Sequence, residues 1–131
     1  MPPLLAQARV SHISAGECNF HAFYEMCAGL STADRAACRV GSAPSTQFAY
    51  LAAAGARAPR DDGADAEKFF LTRRALGAVG IEPAAVLQAW QLLAGIMHLG
   101  NVAFGEAEEA ACEADEALAS VATLLQVDRQ A

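Results

Sequence analysis

Leu92-Leu93-Ala94-Gly95-Ile96-Met97-His98-Leu99-Gly100-Asn101-Val102-Ala103-Phe104 holds, in consecutive residues, the end of a helix, its stop and the start of a strand. Working upstream, Pro83 suits the first turn of that helix, where a missing amide proton costs little. Val86, Leu87, Trp90, Leu93, Ala94 and Met97 then recur at three- and four-residue steps, which predicts a single buried face with Trp90 as its anchor. His98 falls in the last turn, where the carbonyl end favours partial positive charge. Gly100 is expected to take the left-handed conformation that closes a helix. Val102 and Phe104 alternate as in a short strand.

The same reasoning extends to the rest of the chain. Asn19 is expected to cap a helix whose apolar residues Phe20, Phe23, Tyr24, Cys27 and Leu30 share one face. Ser31, followed three residues later by Asp34, reads as a capping-box-like start of a second, short helix, which Gly41 and Pro44 close. Phe48, Tyr50 and Leu51 make a brief third apolar segment. Residues 52–63 are rich in Ala, Arg, Gly and Asp without a hydrophobic period and read as a surface loop. Asp65 then caps a helix with Phe69, Arg73, Leu76 and Val79 on one face and Gly80 at its end. The turn before Pro83 is so short that this helix and the next are expected to pack as a hairpin. Residues 105–116 are acidic and alanine-rich, and helix resumes with Leu118, Val121, Leu124 and Leu125.

Composition narrows the function classes. With 54% hydrophobic and 18% charged residues, the 131-residue chain has the balance of one globular domain with a sizeable core. A formal net charge of −6 argues against nucleic acid or an anionic membrane as partner, since either would be repelled by the average surface. The apolar runs fall short of the ~20 residues a membrane-spanning helix needs. Cys18, Cys27, Cys38 and Cys112 form no tight disulfide framework, which fits a reduced, cytoplasmic protein.

Two constellations invite a chemical reading. Cys18 and His21, with Cys27 and Cys38 further on, give a loose order of metal-ligand types, but a structural zinc site offers two tight pairs and only one is tight here. Cys27 on an apolar helix face reads instead as a small hydrophobe. His98 has no serine, cysteine or carboxylate beside it in sequence to complete a nucleophilic pair, so a capping or core role is expected. His21, in the first turn of an apolar helix, is read as structural too.

Taken together, Asn19-Phe20-His21-Ala22-Phe23-Tyr24 and the stretch 92–104 resemble the myosin motor head, whose members carry close variants of "ERNFHIFYQLLAG" and "ILAAILHLGNIxF". Between these anchors, Asp65-Ala66-Glu67-Lys68-Phe69-Phe70-Leu71-Thr72-Arg73-Arg74-Ala75-Leu76-Gly77-Ala78-Val79-Gly80 is similar to the family's "DxEEFxxTRxAMxxxGF" without a gap. Residues 4–10 resemble the family strand "YLLEKSRV", and residues 119–127 resemble "AAxLLGV". The resemblance implies a mainly α fold: a helical subdomain with one or two short strands, excerpted from the P-loop NTPase-type myosin head. Residues 1–131 would form one partial motor domain with no separate second domain. It also implies, for the full-length family, ATP and Mg as cofactors, the actin filament and the remaining parts of the head as partners, and a cytoplasmic, cytoskeleton-associated location.

The family's catalytic elements do not map onto this chain. A phosphate-binding loop ends in Gly-Lys-Ser/Thr, because the lysine must reach the β- and γ-phosphates while backbone amides cradle them. Lys68, the only lysine, sits inside a predicted helix. Asn19 and Asn101 are the only asparagines, too far apart for the first switch, and no Asp precedes a Gly by three residues as the second switch requires. The expectation is therefore a segment of the upper, actin-side subdomain, with no catalytic, cofactor or metal residue of its own, which does not hydrolyse ATP alone. Such a segment would leave Phe20, Phe23 and Tyr24 without partners supplied by the rest of the head. The alternative is a free-standing helical interaction module derived from a myosin head.

The resemblance also implies that the loop after the 92–104 stretch is a surface loop that reaches actin in some members. Here it carries Glu106, Glu108, Glu109 and Glu113, and acidic residues facing acidic actin repel, which favours a solvated variable loop. Departures from the family pattern remove polar groups: Cys18 stands for the arginine of "ERNFH", Ala52-Ala53-Ala54 for "NQS", and Gly77 for an acidic residue.

Overall fold

The computed structural model describes residues 18–52, 61–102 and 116–128. Within them the regular structure is helical throughout: α1 (His21–Gly29), α2 (Thr32–Cys38), α3 (Pro44–Gln47), α4 (Ala49–Ala52), α5 (Asp62–Ala78), α6 (Pro83–Leu99) and α7 (Glu116–Leu125). This bears out a mainly α architecture. Of the two expected strands, residues 4–10 and Phe104 lie outside the described residues. Val102 is not in a strand, because the end of α6 winds on through Asn101 and Val102, whose amides donate to His98 and Leu99 carbonyls at 2.9 and 3.2 Å.

Two helix pairs make the framework: α1 packs along α5, and α6 packs along α7, with α2 laid against α6. The expected α5–α6 hairpin is therefore looser than the short turn suggests. Each helix has its main partner elsewhere, and the pair meets where the Phe69 and Trp90 rings stand 5.0 Å apart. Around that contact lies one core of Phe23, Met26, Leu30, Phe48, Val86, Ala94, Met97 and Leu124. The predicted α6 face is the one buried, with Val86, Trp90, Ala94 and Met97 at 7% exposure or less. Burying such side chains is worth roughly 1.5–3 kcal/mol each, which outweighs the lack of charge or capping on α6.

Several local expectations are corrected. Asn19 does not cap α1: Phe20 occupies that position, and the fully buried Asn19 points its Nδ2 at the Tyr50 carbonyl, 3.4 Å away. Phe20 stays 36% exposed while Met26 fills the core in its place. Pro44 does not close α2 but opens α3. The cap of α5 is Asp61, whose Oδ1 accepts from the Ala64 amide at 3.1 Å, and Asp65 is buried one turn further on. An aspartate at the cap with Asp62 behind it suits the positive end of the helix, so the helix starts at the first available acid. Of the loop read at 52–63, residues 53–60 lie outside the described residues. Val79, placed on the buried face, is 75% exposed because it lies past the last turn of α5.

Helices α5 and α2 end by the same device. At α5, Ile81 N donates to Leu76 O at 3.1 Å and Gly80 N to Gly77 O at 3.0 Å, with Gly80 at φ 86°, as its glycine predicts. The end of α2 makes the same pair of bonds, Val40 N to Arg35 O and Arg39 N to Ala36 O, with Arg39 at φ 55°. Gly100, by contrast, is right-handed at φ −64° and ψ −17°. Its lack of a side chain answers a packing need: a Cβ there would meet the Tyr50 ring at 2.7 Å.

Candidate functional site

The polar side chains gather where α2, α3, α6 and α7 converge. Arg39, forced left-handed at the end of α2, turns its carbonyl inward, where it accepts from Gln47 Nε2 at 2.9 Å and contacts His98 Nε2 at 3.1 Å. Its guanidinium reaches across to Ser120 Oγ on α7 at 3.2 Å. Arg35, one turn earlier, donates from Nε to Leu30 O at 3.3 Å, from one terminal nitrogen to Gly41 O at 2.9 Å, and from the other to Cys27 O. Asn101 closes the arrangement from α6: its Oδ1 accepts from Ala49 N at 2.8 Å and its Nδ2 donates to Gln47 O at 2.7 Å. An open cleft of about 710 Å³ lies over these groups, with Glu116 on its rim.

His98 is 5% exposed and stacks edge-on to Phe48 with ring centroids 4.8 Å apart. Burial holds its pKa below the ordinary 6.5, against the opposing pull of the Arg39 and Cys38 carbonyls. The imidazole is thus neutral at physiological pH and donates Nε2–H to the Arg39 carbonyl. It faces a backbone carbonyl, not a hydroxyl or thiol, and acts as a pin between α6 and the turn after α2. The capping or core role read from the sequence is what the geometry displays.

The other candidates separate from this node. His21 is exposed in the first turn of α1. Among the described residues, no three His, Cys, Asp or Glu side chains stand together in a way that could hold a metal. Cys18, Cys27 and Cys38 are buried, and burial pushes the thiol of Cys27 up to about 12 and that of Cys38 to about 11. Thiols so protonated are poor ligands and poor nucleophiles. Lys68 is exposed on α5, in a helix and not in a loop. Glu106, Glu108, Glu109 and Glu113, with Cys112, lie outside the described residues.

Sequence reasoning found His98 and missed Arg35, Arg39 and Gln47. An arginine ending a helix left-handed leaves little trace in the sequence, because glycine is the usual residue there. The pinning role of Asn101 had a signal in the "HLGN" order, though its partners, 52 and 54 residues away, were not visible.

A node of this kind holds backbones together, and its two anchor motifs point to a family in which they recur. The family model of the myosin head (motor domain) matches residues 3–131. The chain belongs to the myosin head family. Unconventional myosin-Va of Rattus norvegicus is 34% identical to it over 83% of this chain and 6% of the relative. Myosin IC heavy chain of Dictyostelium discoideum is 37% identical over 79% of this chain and 8% of the relative. Myosin-13 of Arabidopsis thaliana is 34% identical over 98% of this chain and 9% of the relative. This myosin head segment therefore spans less than a tenth of the length of those relatives.

Proposed function

We propose that this segment is helical scaffold in the upper, actin-side subdomain of a myosin motor head, an excerpt of a P-loop NTPase-type fold. Residues 1–131 act as one partial domain. The phosphate loop and both switches belong to other parts of the longer protein, which binds ATP and Mg²⁺ and works on actin filaments in the cytoplasm, associated with the cytoskeleton. The observation that carries this reading is the use of the family motifs: His98 and Asn101 bond to the backbones of residues 39, 47 and 49. Packed helices joined in this way move as a unit, which suits transmission of strain between a nucleotide site and a filament-binding face.

The complete head should bind ATP and hydrolyse it faster with actin filaments, while the 131-residue chain hydrolyses none. ATPase activity in the 131-residue chain contradicts this reading. The acidic residues Glu106, Glu108, Glu109 and Glu113 are proposed to form a solvated loop on the actin side that weakens encounter with the filament. Changing all four to Gln should tighten cosedimentation of the head with actin at low salt. Unchanged cosedimentation removes the loop from the filament interface.

A further inference from the structure

Helix α6 carries no Asp, Glu, Lys or Arg over its 17 residues. One face is buried in the core already described. A second stripe, more than a third of a turn away, consists of Ala85, Ala89, Leu92, Ile96 and Leu99, spaced by alternating steps of four and three residues, with Ile96 already packed in part on the core. On it, Leu92 is 54% and Leu99 45% exposed, and Ala85 and Ala89 are exposed as well. An uncharged helix with apolar residues on both sides belongs to an interior, because surface helices present charged groups opposite the core.

We infer that this stripe seats an apolar helix from the part of the myosin head outside this segment. The inference rests on the proposed reading of the chain as part of a longer head. The alternating spacing is that of a seam along which one helix lies lengthwise, and the alanines at its start let a partner backbone approach closely. The length of chain needed to supply such a helix exists in the family, since the relatives are more than ten times longer than the stretch they share with this protein. A second copy is a poorer occupant, because each copy carries a formal net charge of −6 and the two would repel.

Single cysteines test this directly. In a Cys112→Ser background, with Cys18, Cys27 and Cys38 buried, Leu92→Cys and Leu99→Cys are labelled with a maleimide in the 131-residue chain and in the complete head. Both sites are exposed, and circular dichroism checks that each variant keeps its helix content. Fast labelling in the isolated chain, slowed roughly tenfold or more in the head, is the expected result. Equal rates in the two settings overturn the inference, as does protection in the isolated chain. Protection that grows with protein concentration would mean that a second copy is the occupant. Nucleotide binding by the same head, measured in parallel, reports separately on the reading beneath: a head that protects the cysteines and binds no ATP fails that reading alone.

Discussion

His98 is buried as a neutral imidazole, and its pKa lies below the 6.5 of the unfolded chain. Its contribution to stability is complete above pH 6.5 and is lost as pH falls through 6.5 toward the lower folded value, because the unfolded chain takes up the proton first. Urea denaturation between pH 8 and pH 5 should therefore show falling stability in the wild type and a flatter profile in His98→Gln, whose amide does not titrate. Equal slopes would remove His98 from that role. Asn101 has the more direct effect. Asn101→Ala removes the bonds to the Ala49 amide and the Gln47 carbonyl, and at about 0.5–1.5 kcal/mol for each should destabilise by about 1–3 kcal/mol in the same denaturation measurement. These two residues were visible in the sequence as a motif, but their partners were not, since the turn that delivers residues 39–49 has no periodicity to read. Trp90 was legible as a core anchor, yet its indole N–H finds no acceptor among the described residues, a detail no pattern reports.

At the scale of elements, periodicity succeeded where a helix has a continuous partner and failed at the ends. The face of α6 was legible because four of its turns pack on the core, whereas Val79, Phe20 and Asp65 were misplaced by a turn or less, where the boundary itself decides burial. Close packing of α1 on α5 depends on Gly29: a Cβ there would lie 2.3–2.6 Å from the Phe69 side chain. Gly29→Ala should push the two helices apart and destabilise by about 1–3 kcal/mol despite the better helix propensity of alanine. A rise in thermal midpoint would contradict that packing. The end of α2 offers a signed comparison. Arg39→Gly and Arg39→Ala both lose the bond to Ser120, but only glycine relieves the left-handed backbone, so the glycine variant should be the more stable by about 1 kcal/mol. Equal stabilities would show that the backbone relaxes elsewhere.

At the scale of the whole molecule, the described residues combine a buried core with large apolar side chains left exposed. Phe70, Leu71, Leu92 and Leu99 are each close to half exposed or more, while Phe23 is buried and Tyr24 half-buried within the segment itself. Of the aromatic face of α1 expected to need an outside partner, Phe23 and Tyr24 thus find cover within the segment and Phe20 stays exposed, while further exposed apolar side chains lie on α5 and α6. That distribution suits a segment whose surroundings come from a longer chain. The family was legible from two motifs and the order between them, and in the second of these His98 and Asn101 bond to the backbones of residues 39, 47 and 49. We propose that this segment serves a longer motor head through packed helices and holds no nucleotide site of its own. Isothermal titration of ATP with Mg²⁺ into the 131-residue chain tests that most directly: the account predicts no specific heat of binding, and saturable binding of micromolar affinity would contradict it.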